Sequence, residues 1–471
     1  MSEPVTETQD KPTSAPEAAP PPSSPPPERR EDSQGGKDNA SRSEGGDDRN
    51  YQRKNRNNNN NRRGRGKGRN NRGRNNRGRG GDKEFRKRDR DQGDRPYEEP
   101  SGPATEEEGM LEISGKGFGF LRIPDRNFYP SPKDVFVTPE TVRNYGLRDG
   151  IWVKAEAKQG HRGPQLTKLI SCNGLEPDAY KTLPHFDELK AVHPDLRYVL
   201  ETSQTKMTTR IVDMMAPIGR GQRGLIVAPP RSGKTTLLQH MAEAVIENYK
   251  DVHTMIVLID ERPEEVTELK RSVEGAELIA SSNDMDTRTH ARTAQMAIER
   301  AKRLVEAGKD VFIVLDSITR LARQFNNLVR NSGRTGSGGL DVRAMEIPRG
   351  LFAAARNTRD AGSLTIIGTA LVDTNSRMDE VIFQEFKGTG NMELVLERRI
   401  AEQYIFPAVD IFKSGTRREE LLLPPHQLEK IHMLRRGLAG QAPIDAIERL
   451  IQLAEKYPSN AQMLLELKLV G

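Results

Sequence analysis

The stretch Gly224-Leu225-Ile226-Val227-Ala228-Pro229-Pro230-Arg231-Ser232-Gly233-Lys234-Thr235 decides the fold of this chain. It is an apolar run followed by a glycine-containing turn. Helical spacing of apolar residues then continues in Leu237, Leu238, Met241 and Ala244. Strand, turn and helix in this order are typical of a phosphate-binding loop. Gly233 allows the tight turn, Lys234 reaches the β and γ phosphates of ATP, and the Thr235 hydroxyl binds Mg²⁺.

From about Lys206 onward, apolar strands alternate with helix-length amphipathic segments, which predicts a parallel sheet in an α/β domain. One of these strands, Val311–Leu315, is followed by Asp316. We interpret Asp316 as the Walker B carboxylate that holds Mg²⁺, although a terminal Asp can equally cap a helix.

A second apolar strand, Met255–Ile259, leads to Asp260 and Glu261. The carboxyl ends of parallel strands open onto the ligand crevice, so Glu261 is our candidate general base for ATP hydrolysis. The alternative is a surface carboxylate paired with Arg262.

Before this domain, residues 110–175 alternate short apolar runs with turn signals, which predicts about five strands in a small closed barrel of the oligonucleotide-binding type. In Gly117-Phe118-Gly119-Phe120 the two aromatic residues fall on one face of a strand, and the glycines would let a ligand backbone approach. With Arg122 beside them, the aromatic rings would make a base-stacking platform. The alternative is that Phe118 and Phe120 fill the barrel core.

The first 110 residues contain no Leu or Ile and are rich in Pro, Glu, Ser, Asn, Arg and Gly, so residues 1–109 are expected to be disordered. Twelve Lys or Arg and no acidic residue lie between residues 51 and 81, whereas the whole chain has a net charge of +6. This segment either tracks an RNA backbone or is only a solvated tail.

Cys172 is the only cysteine, so an intrachain disulfide is excluded and a buried small hydrophobe is the expectation. The sequence opens with polar and acidic residues, and it contains no apolar run approaching the ~20 residues of a membrane span, so neither a leader nor a membrane segment is expected. A cytoplasmic, soluble protein is the expectation.

The phosphate loop with Pro229-Pro230 inside it, the run Asp260–Val266, the string Gly117–Arg122 and Ser414-Gly415-Thr416-Arg417-Arg418-Glu419-Glu420 resemble the Rho family of bacterial transcription termination factors. The resemblance covers residues 110–471 almost without gaps. It implies a RecA-like ATPase domain over residues 206–471, joined by a linker (176–205) to the RNA-binding barrel. It also implies a ring of six subunits with ATP at the interfaces, and 5′ to 3′ RNA–DNA helicase activity that ends transcription.

For the nucleotide site, the resemblance implies that Arg417 is an arginine finger acting on the neighbouring subunit, Arg262 an interface arginine and Phe406 the aromatic that stacks on adenine. Lys234, Glu261, Asp316 and Arg417 would then be catalytic, and Thr235 and Asp316 would hold Mg²⁺. The implied ATP-binding residues also include Gly219, Arg220, Gly221, Gln222, Arg223, Gly224, Arg231, Ser232, Gly233 and Thr236.

For RNA, the resemblance implies a primary site and a second site lining the central hole. The primary site would contain Gly117, Phe118, Gly119, Phe120, Leu121, Arg122, Asp134, Val135, Phe136, His161 and Arg162. Gly163 departs from the aromatic usual in the family. The second site would use Arg334 and Arg377, each on a polar loop.

Three other functions are consistent with parts of the sequence: a rotary-ATPase subunit, an RNA-binding regulator whose nucleotide site only stabilises the fold, and a RecA-type recombinase. The string Phe118–Arg122 argues against the rotary-ATPase subunit, and the joint presence of Lys234, Glu261, Asp316 and Arg417 argues against the regulator. A recombinase would lack the N-terminal RNA barrel. The expected partners are single-stranded nascent RNA, RNA polymerase and an elongation factor, with no membrane.

Overall fold

The computed structural model of the chain describes residues 100–329 and 337–467. The predicted disordered tail up to residue 99, with its basic segment 51–81, lies outside the described residues. In the described ranges no helix has the length and apolarity needed to cross a lipid bilayer.

The predicted barrel is confirmed: five strands close on themselves in the order β1-β2-β3-β5-β4. Their bounds are β1 Ser101–Ile113, β2 Gly119–Arg122, β3 Val135–Val137, β4 Trp152–Gly160 and β5 Gly163–Cys172. The helix α1, Pro139–Tyr145, connects β3 to β4 and is capped by Thr138, whose side chain accepts from the backbone N–H of Thr141. The barrel core contains Leu111, Leu121, Val135, Val153 and Cys172 among others.

The barrel begins earlier than the sequence predicted, because β1 starts at Ser101 and not at Met110, so the predicted disorder is wrong for residues 101–109. Residues 101–108 are all exposed, but residues 105–108 pair with β4 through their backbones. Composition misses such a strand because it contributes hydrogen bonds without burying apolar side chains.

The second region is built on a seven-stranded sheet in the order β11-β10-β12-β14-β9-β15-β16, with two small two-stranded sheets, β6 with β13 and β7 with β8, beside it. All neighbours in the large sheet are parallel except β15 and β16, which confirms the predicted α/β class. The bounds are β6 Ala191–Val192, β7 Arg197–Tyr198, β8 Ile218–Gly219, β9 Arg223–Ala228, β10 His253–Glu261, β11 Glu277–Ser282, β12 Val311–Asp316, β13 Asn357–Thr358, β14 Leu364–Leu371, β15 Met392–Val395 and β16 Gly415–Thr416.

Twelve α-helices follow α1 in the described ranges. Several of them pack on the faces of the large sheet, and the last three form the C-terminal part of the described chain. Their bounds are α2 Pro177–Lys181, α3 Met207–Met215, α4 Lys234–Asn248, α5 Pro263–Ser272, α6 Thr287–Glu306, α7 Ile318–Val329, α8 Glu346–Ala353, α9 Arg377–Lys387, α10 Arg398–Glu402, α11 Pro425–Leu438, α12 Pro443–Glu455 and α13 Asn460–Glu466.

Each central strand of the large sheet is apolar on both faces, as expected of a sheet covered by helices on both sides. On β9, Ile226 and Ala228 belong to one core layer, and Leu225 and Val227 belong to the other. This alternation holds β9 in one register. The phosphate loop that follows β9 is therefore fixed at the carboxyl edge of the sheet.

The segment 176–205 is not a free linker. Phe186, Tyr198 and Leu200 are almost completely buried in the cores of the large domain. Strands β6 and β7 also pair with β13 and β8 of that domain. Because these apolar side chains add to the core, most of the segment is part of the ATPase-like domain.

The barrel is docked on α6 and on the edge strand β11. Gly150 lies so close to α6 that a Cβ atom there would be 2.3 Å from the backbone nitrogen of Arg300. The Tyr129 hydroxyl donates to the carbonyl of Ala280 on β11, at 2.8 Å. Met110 and Phe128 of the barrel are buried in a core layer of the large domain. The orientation of the barrel is thus set by backbone contact, hydrogen bonds and apolar packing together.

Candidate nucleotide and RNA sites

The predicted phosphate loop connects β9 to α4. Arg231 and Gly233 have left-handed backbone angles, φ 63° and 81°, which confirms the tight turn. The Ser232 hydroxyl donates to the carbonyl of Pro229 at 2.8 Å and closes the loop. Lys234 is the first residue of α4, so the loop presents the amino end of a 15-residue helix, where backbone N–H groups favour anions.

Lys234 forms an ion pair with Asp316, the last residue of β12. Asp316 is buried and also accepts a hydrogen bond from the Thr369 hydroxyl at 2.7 Å. Asp316 thus faces the phosphate loop, whereas the helix that follows is capped by Ser317, whose hydroxyl accepts from the backbone N–H of Arg320 at 3.2 Å. Thr235 is half-buried and Thr236 exposed on the first turn of α4.

Glu261 ends β10, next to β12, and only 2% of it is exposed. The Arg320 guanidinium lies 3.0 Å from its carboxylate, so the alternative of a surface pair with Arg262 is wrong. Burial and the negative charge of Asp316 raise the pKa of Glu261 to about 7, against the opposing positive charges of Arg320 and Lys234. Such a carboxylate takes up a proton near neutral pH, as a general base must.

Asp260 places Glu261 in the site. It has a left-handed φ of 59°, and the pairing of β10 with β11 shifts register at this point. Gln324 donates to the Asp260 carboxylate at 2.9 Å, and Arg320 donates to its carbonyl. Sequence reasoning missed Arg320 and Gln324, although their spacing of four residues puts them on one face of the helix that follows Asp316.

Phe406 lies beside the phosphate loop, whereas Arg262 lies on the surface of the domain. The Phe406 ring is 3.1 Å from the position that a Cβ atom on Gly233 would take, and about half of its surface is exposed. An exposed ring beside the phosphate loop is available for stacking. Arg262 is exposed, with its nearest carboxylate, that of Glu265, at 3.9 Å.

Residues 219–224 do not line the phosphate loop of their own chain. They lie at the amino end of β9, roughly 17 Å along the strand from its other end at ~3.3 Å per residue. Gly221 packs against the backbone of Asn357, and Gln222 donates to the Asn391 side chain at 2.7 Å. The resemblance places ATP at subunit interfaces, so ATP binding by Gly219, Arg220, Gly221, Gln222, Arg223 and Gly224 stays a prediction that concerns the nucleotide of a neighbouring subunit.

Arg417 is exposed and lies at the same amino end as Arg223. Its backbone N–H donates to Asn391, whose own N–H donates to Arg223. The pKa of Arg223 is lowered by burial and by the positive charges of Arg356 and Arg417. Three guanidinium groups therefore lie close together at the edge remote from the phosphate loop.

The barrel carries a cluster of three aromatic rings, those of Phe118, Phe120 and Phe136. Their centroids are 5.6 to 5.7 Å apart, and all three are half-buried and outside the barrel core. We call this cluster the aromatic platform. The alternative that Phe118 and Phe120 fill the core is wrong, because Leu111, Leu121 and Val135 fill it.

The other residues predicted for the primary RNA site divide into two groups. Leu121 and Val135 are buried in the barrel core, so only their backbones can face a ligand. Gly119 does not clear space for a ligand: a Cβ atom there would be 2.6 Å from the Leu111 side chain, so the glycine admits a core residue. Gly117 has φ 84° in a turn, and His161 and Arg162 are exposed in the turn between β4 and β5.

Arg122 and Asp134 are buried and paired with each other. The Arg122 guanidinium also lies 5.0 Å from the centre of the Phe120 ring and donates to Glu112 at 2.6 Å. Arg122 therefore packs against the buried side of the platform.

Arg377 is exposed at the start of α9, and a Cβ atom on Gly338 would be 3.1 Å from its carbonyl oxygen. The two predicted central loops thus meet. Arg334 lies outside the described residues. The buried Asp379 on α9 accepts two hydrogen bonds from Arg323 of α7 and one from Thr374, at 2.5 Å.

Comparison with known proteins agrees with the presence of both domains. Residues 107–178 match the Rho termination factor, RNA-binding domain, and residues 208–416 match the nucleotide-binding domain of the ATP synthase alpha/beta family. Transcription termination factor Rho of Cereibacter sphaeroides is 48% identical over 361 residues, 75% of this chain and 85% of that protein. Rho of Aquifex aeolicus is 47% identical over 362 residues, 76% and 83% of the two chains.

A solved structure of an ATPase from the type III secretion system of pathogenic bacteria is also similar. It superimposes with a TM-score of 0.51 at 25% identity, and the match covers 60% of this chain and 86% of that one. The predicted RecA-like ATPase fold is consistent with this likeness.

Proposed function

The chain belongs to the family of transcription termination factor Rho, and from this we propose that it is an RNA-dependent ATPase and 5′ to 3′ RNA–DNA helicase that terminates transcription. One observation carries the proposal beyond family membership. Three of the four proposed catalytic residues, Lys234, Asp316 and Glu261, lie at one edge of the sheet, and an aromatic platform lies on a barrel docked to the same domain.

The phosphate loop holds ATP. Backbone N–H groups at the start of α4 and the Lys234 ammonium contact its β and γ phosphates, and Phe406 stacks on the adenine. Thr235 and Asp316 fit Mg²⁺, because a hydroxyl on the first helical turn and a buried carboxylate facing it are the oxygen ligands this ion prefers. When bound, Mg²⁺ supplies charge neutralisation at the phosphate oxygens.

Glu261 acts as the general base. Its carboxylate accepts a proton from the water that attacks the γ phosphate, and its pKa near 7 matches that task at neutral pH. Arg320 holds the carboxylate in place through the 3.0 Å ion pair.

Arg417 acts on the neighbouring subunit. It lies at the opposite end of β9 from the phosphate loop of its own chain, so the phosphates it can reach belong to another copy. A ring of six identical subunits, with Arg417 and the adjacent residues 219–223 facing each neighbour's ATP, accounts for this placement. An arginine finger contributes about 10³- to 10⁵-fold in rate.

RNA binds at two places. Bases of the nascent transcript stack on Phe118, Phe120 and Phe136, with His161 and Arg162 at the rim. Arg377 and Arg334 contact the RNA backbone in the central hole. The partners we propose are single-stranded RNA, RNA polymerase and an elongation factor, in the cytoplasm.

The first test is phosphate release from Mg²⁺-ATP with and without cytosine-rich single-stranded RNA, in the wild type and Lys234→Ala. We expect strong stimulation by RNA that is lost in Lys234→Ala. Turnover that is independent of RNA would support a rotary-ATPase function instead, and RNA binding without turnover would support a regulator.

The second test addresses the action of Arg417 on the neighbour. Arg417→Ala and Lys234→Ala rings should each be inactive, whereas mixed rings should regain part of the activity. The reason is that some interfaces then join an intact phosphate loop to an intact Arg417. Full activity of Arg417→Ala alone, or no recovery on mixing, would contradict the arginine finger.

A further inference from the structure

Glu112 of the barrel is shared by two arginines from different domains. Arg122, on the neighbouring strand β2, donates to its carboxylate at 2.6 Å. Arg292, on α6 of the ATPase domain, donates to it with two nitrogens, one of them at 2.7 Å. The side chains of Glu112 and Arg292 are only about one-fifth exposed. This bidentate pair is a directional contact and not a loose surface attraction.

The pair continues into the aromatic platform. Arg122 has a side chain that is 10% exposed, and it is held between Glu112 and the buried Asp134 while its guanidinium lies 5.0 Å from the Phe120 ring centre. Asp134 in turn accepts the backbone N–H of Ser131 at 2.6 Å. Two positive and two negative side chains thus form one line from α6 to the underside of the platform.

Glu112 is ionised at neutral pH because of its two arginine partners. Burial would by itself favour the neutral carboxyl, but the hydrogen bonds and positive charges of Arg292 and Arg122 lower the pKa of Glu112 below its usual value. Glu112 therefore stays ionised and keeps both arginines in place at neutral pH.

We propose that Glu112 is a positioning residue for RNA bases: it holds Arg122 beneath the platform and, through Arg292, fixes that arrangement to the ATPase domain. The inference rests on the proposed RNA-binding role of the platform. Its consequence is that a substitution on α6, which contacts no platform ring among the described residues, changes how the barrel discriminates between bases.

The experiment measures the affinities of the full-length protein for oligo(C) and oligo(A) RNA of equal length. The ratio of the two affinities is the chosen readout, because contacts to phosphates raise or lower both affinities together whereas contacts to bases change their ratio. Removing the charge of Glu112 leaves a positive excess near the RNA, and the ratio cancels this general attraction.

We expect Glu112→Gln to reduce the ratio about tenfold, the effect of losing one charge-assisted hydrogen bond at the Arg122 side chain. Arg292→Gln should reduce the ratio about threefold, because Arg122 still donates to the Glu112 carboxylate. The double variant Glu112→Gln/Arg122→Gln should be no worse than Arg122→Gln alone, since both changes remove the same arrangement.

The matched control is Arg148→Gln. Arg148 also joins the barrel to α6, through a 2.8 Å ion pair with Glu306, but it does not contact the platform. Its ratio should stay at the wild-type value. A ratio that is unchanged in Glu112→Gln, or reduced equally in Arg148→Gln, would overturn the inference, and the latter result would reduce Glu112 to a docking residue.

Two further measurements separate this inference from the proposed function. If Phe120→Ala binds RNA as tightly as the wild type, or if the wild type does not distinguish the two oligonucleotides, the platform itself is contradicted. If Glu112→Gln does not fold, as judged by its thermal unfolding, Glu112→Asp keeps the charge but shortens the reach by one methylene. That variant should reduce the ratio about threefold, and an unchanged ratio would overturn the inference.

Discussion

The ion pair between Arg320 and Glu261 predicts how the rate of ATP hydrolysis depends on pH. The pKa of Glu261 is raised to about 7, and only the ionised carboxylate can accept a proton from water. With saturating RNA, kcat/KM of the wild type should therefore rise with pH through about 7. Replacing Arg320 by Gln removes a positive charge that favours the ionised form, so the rise should move to higher pH.

The size of this displacement follows from the geometry. Two unit charges about 4 Å apart interact by about 4 kcal/mol at an effective dielectric constant of about 20. The Arg320 side chain is 27% exposed, and solvent screening reduces this to roughly 2 kcal/mol. At about 1.36 kcal/mol per pH unit, the ascending limb moves up by about 1.5 pH units.

The assay is phosphate release between pH 6 and pH 9.5. The ionised fraction of Glu261 at pH 7 should fall from about one half to about 3%, a roughly 16-fold loss of rate, whereas at pH 9 the two proteins should differ by less than about twofold. Arg323→Gln is the control, since Arg323 lies on the same helix but pairs with Asp379. The ascending limb of the pH–rate curve of Arg323→Gln should stay near the wild-type position, whatever the absolute rate of that variant.

A uniform loss in Arg320→Gln, equal at pH 7 and pH 9, would refute this reasoning. It would mean that Arg320 acts only by holding the carbonyl of Asp260 and that Glu261 does not titrate as the base.

Three further outcomes are expected. Phe406→Ala should raise the KM for ATP about tenfold with little change in kcat, whereas Phe412→Ala, also exposed, should not; equal KM values would exclude stacking. Burial raises the pKa of the Cys172 thiol to about 12, so iodoacetamide at pH 7.5 should label it only on unfolding, and labelling of the native protein would contradict its burial. Gly150→Ala should lower the free energy of unfolding by about 2 kcal/mol or more, because its Cβ atom would overlap Arg300. The control Gly146→Ala shares the left-handed φ but has open space at its Cβ position, and it should cost only about 1 kcal/mol; equal losses would exclude the overlap.

The sequence was most informative where a local motif is compatible with only one local structure. The apolar run into Gly233, Lys234 and Thr235 predicted the strand, turn and helix of the nucleotide site, and the structure has all three. Strands β10 and β12 were predicted for the same reason, since a wholly apolar run of this length fits a sheet covered on both faces.

The sequence failed where a position depends on distant partners. The composition of residues 219–224 did not show that they lie away from the phosphate loop of their own chain, because their place at the amino end of β9 follows from strand direction. Gly119 looked like an opening for a ligand, yet its neighbour is Leu111 from another strand. Arg320, Gln324 and Glu112 were missed because their importance comes from contacts across 60 to 180 residues of sequence.

The helix α7 contacts both the candidate hydrolytic residue Glu261 and the helix that carries the candidate RNA-contacting residue Arg377. It starts two residues after Asp316, and its first turns place Arg320 on Glu261 and Asp260. Arg323, three residues after Arg320 on the same helix, forms an ion pair with the buried Asp379. Asp379 lies two residues after Arg377, at the start of α9. Because both contacts lie on one helix, we expect loss of the γ phosphate, which would change the charges facing Glu261, to displace the start of α9 as well.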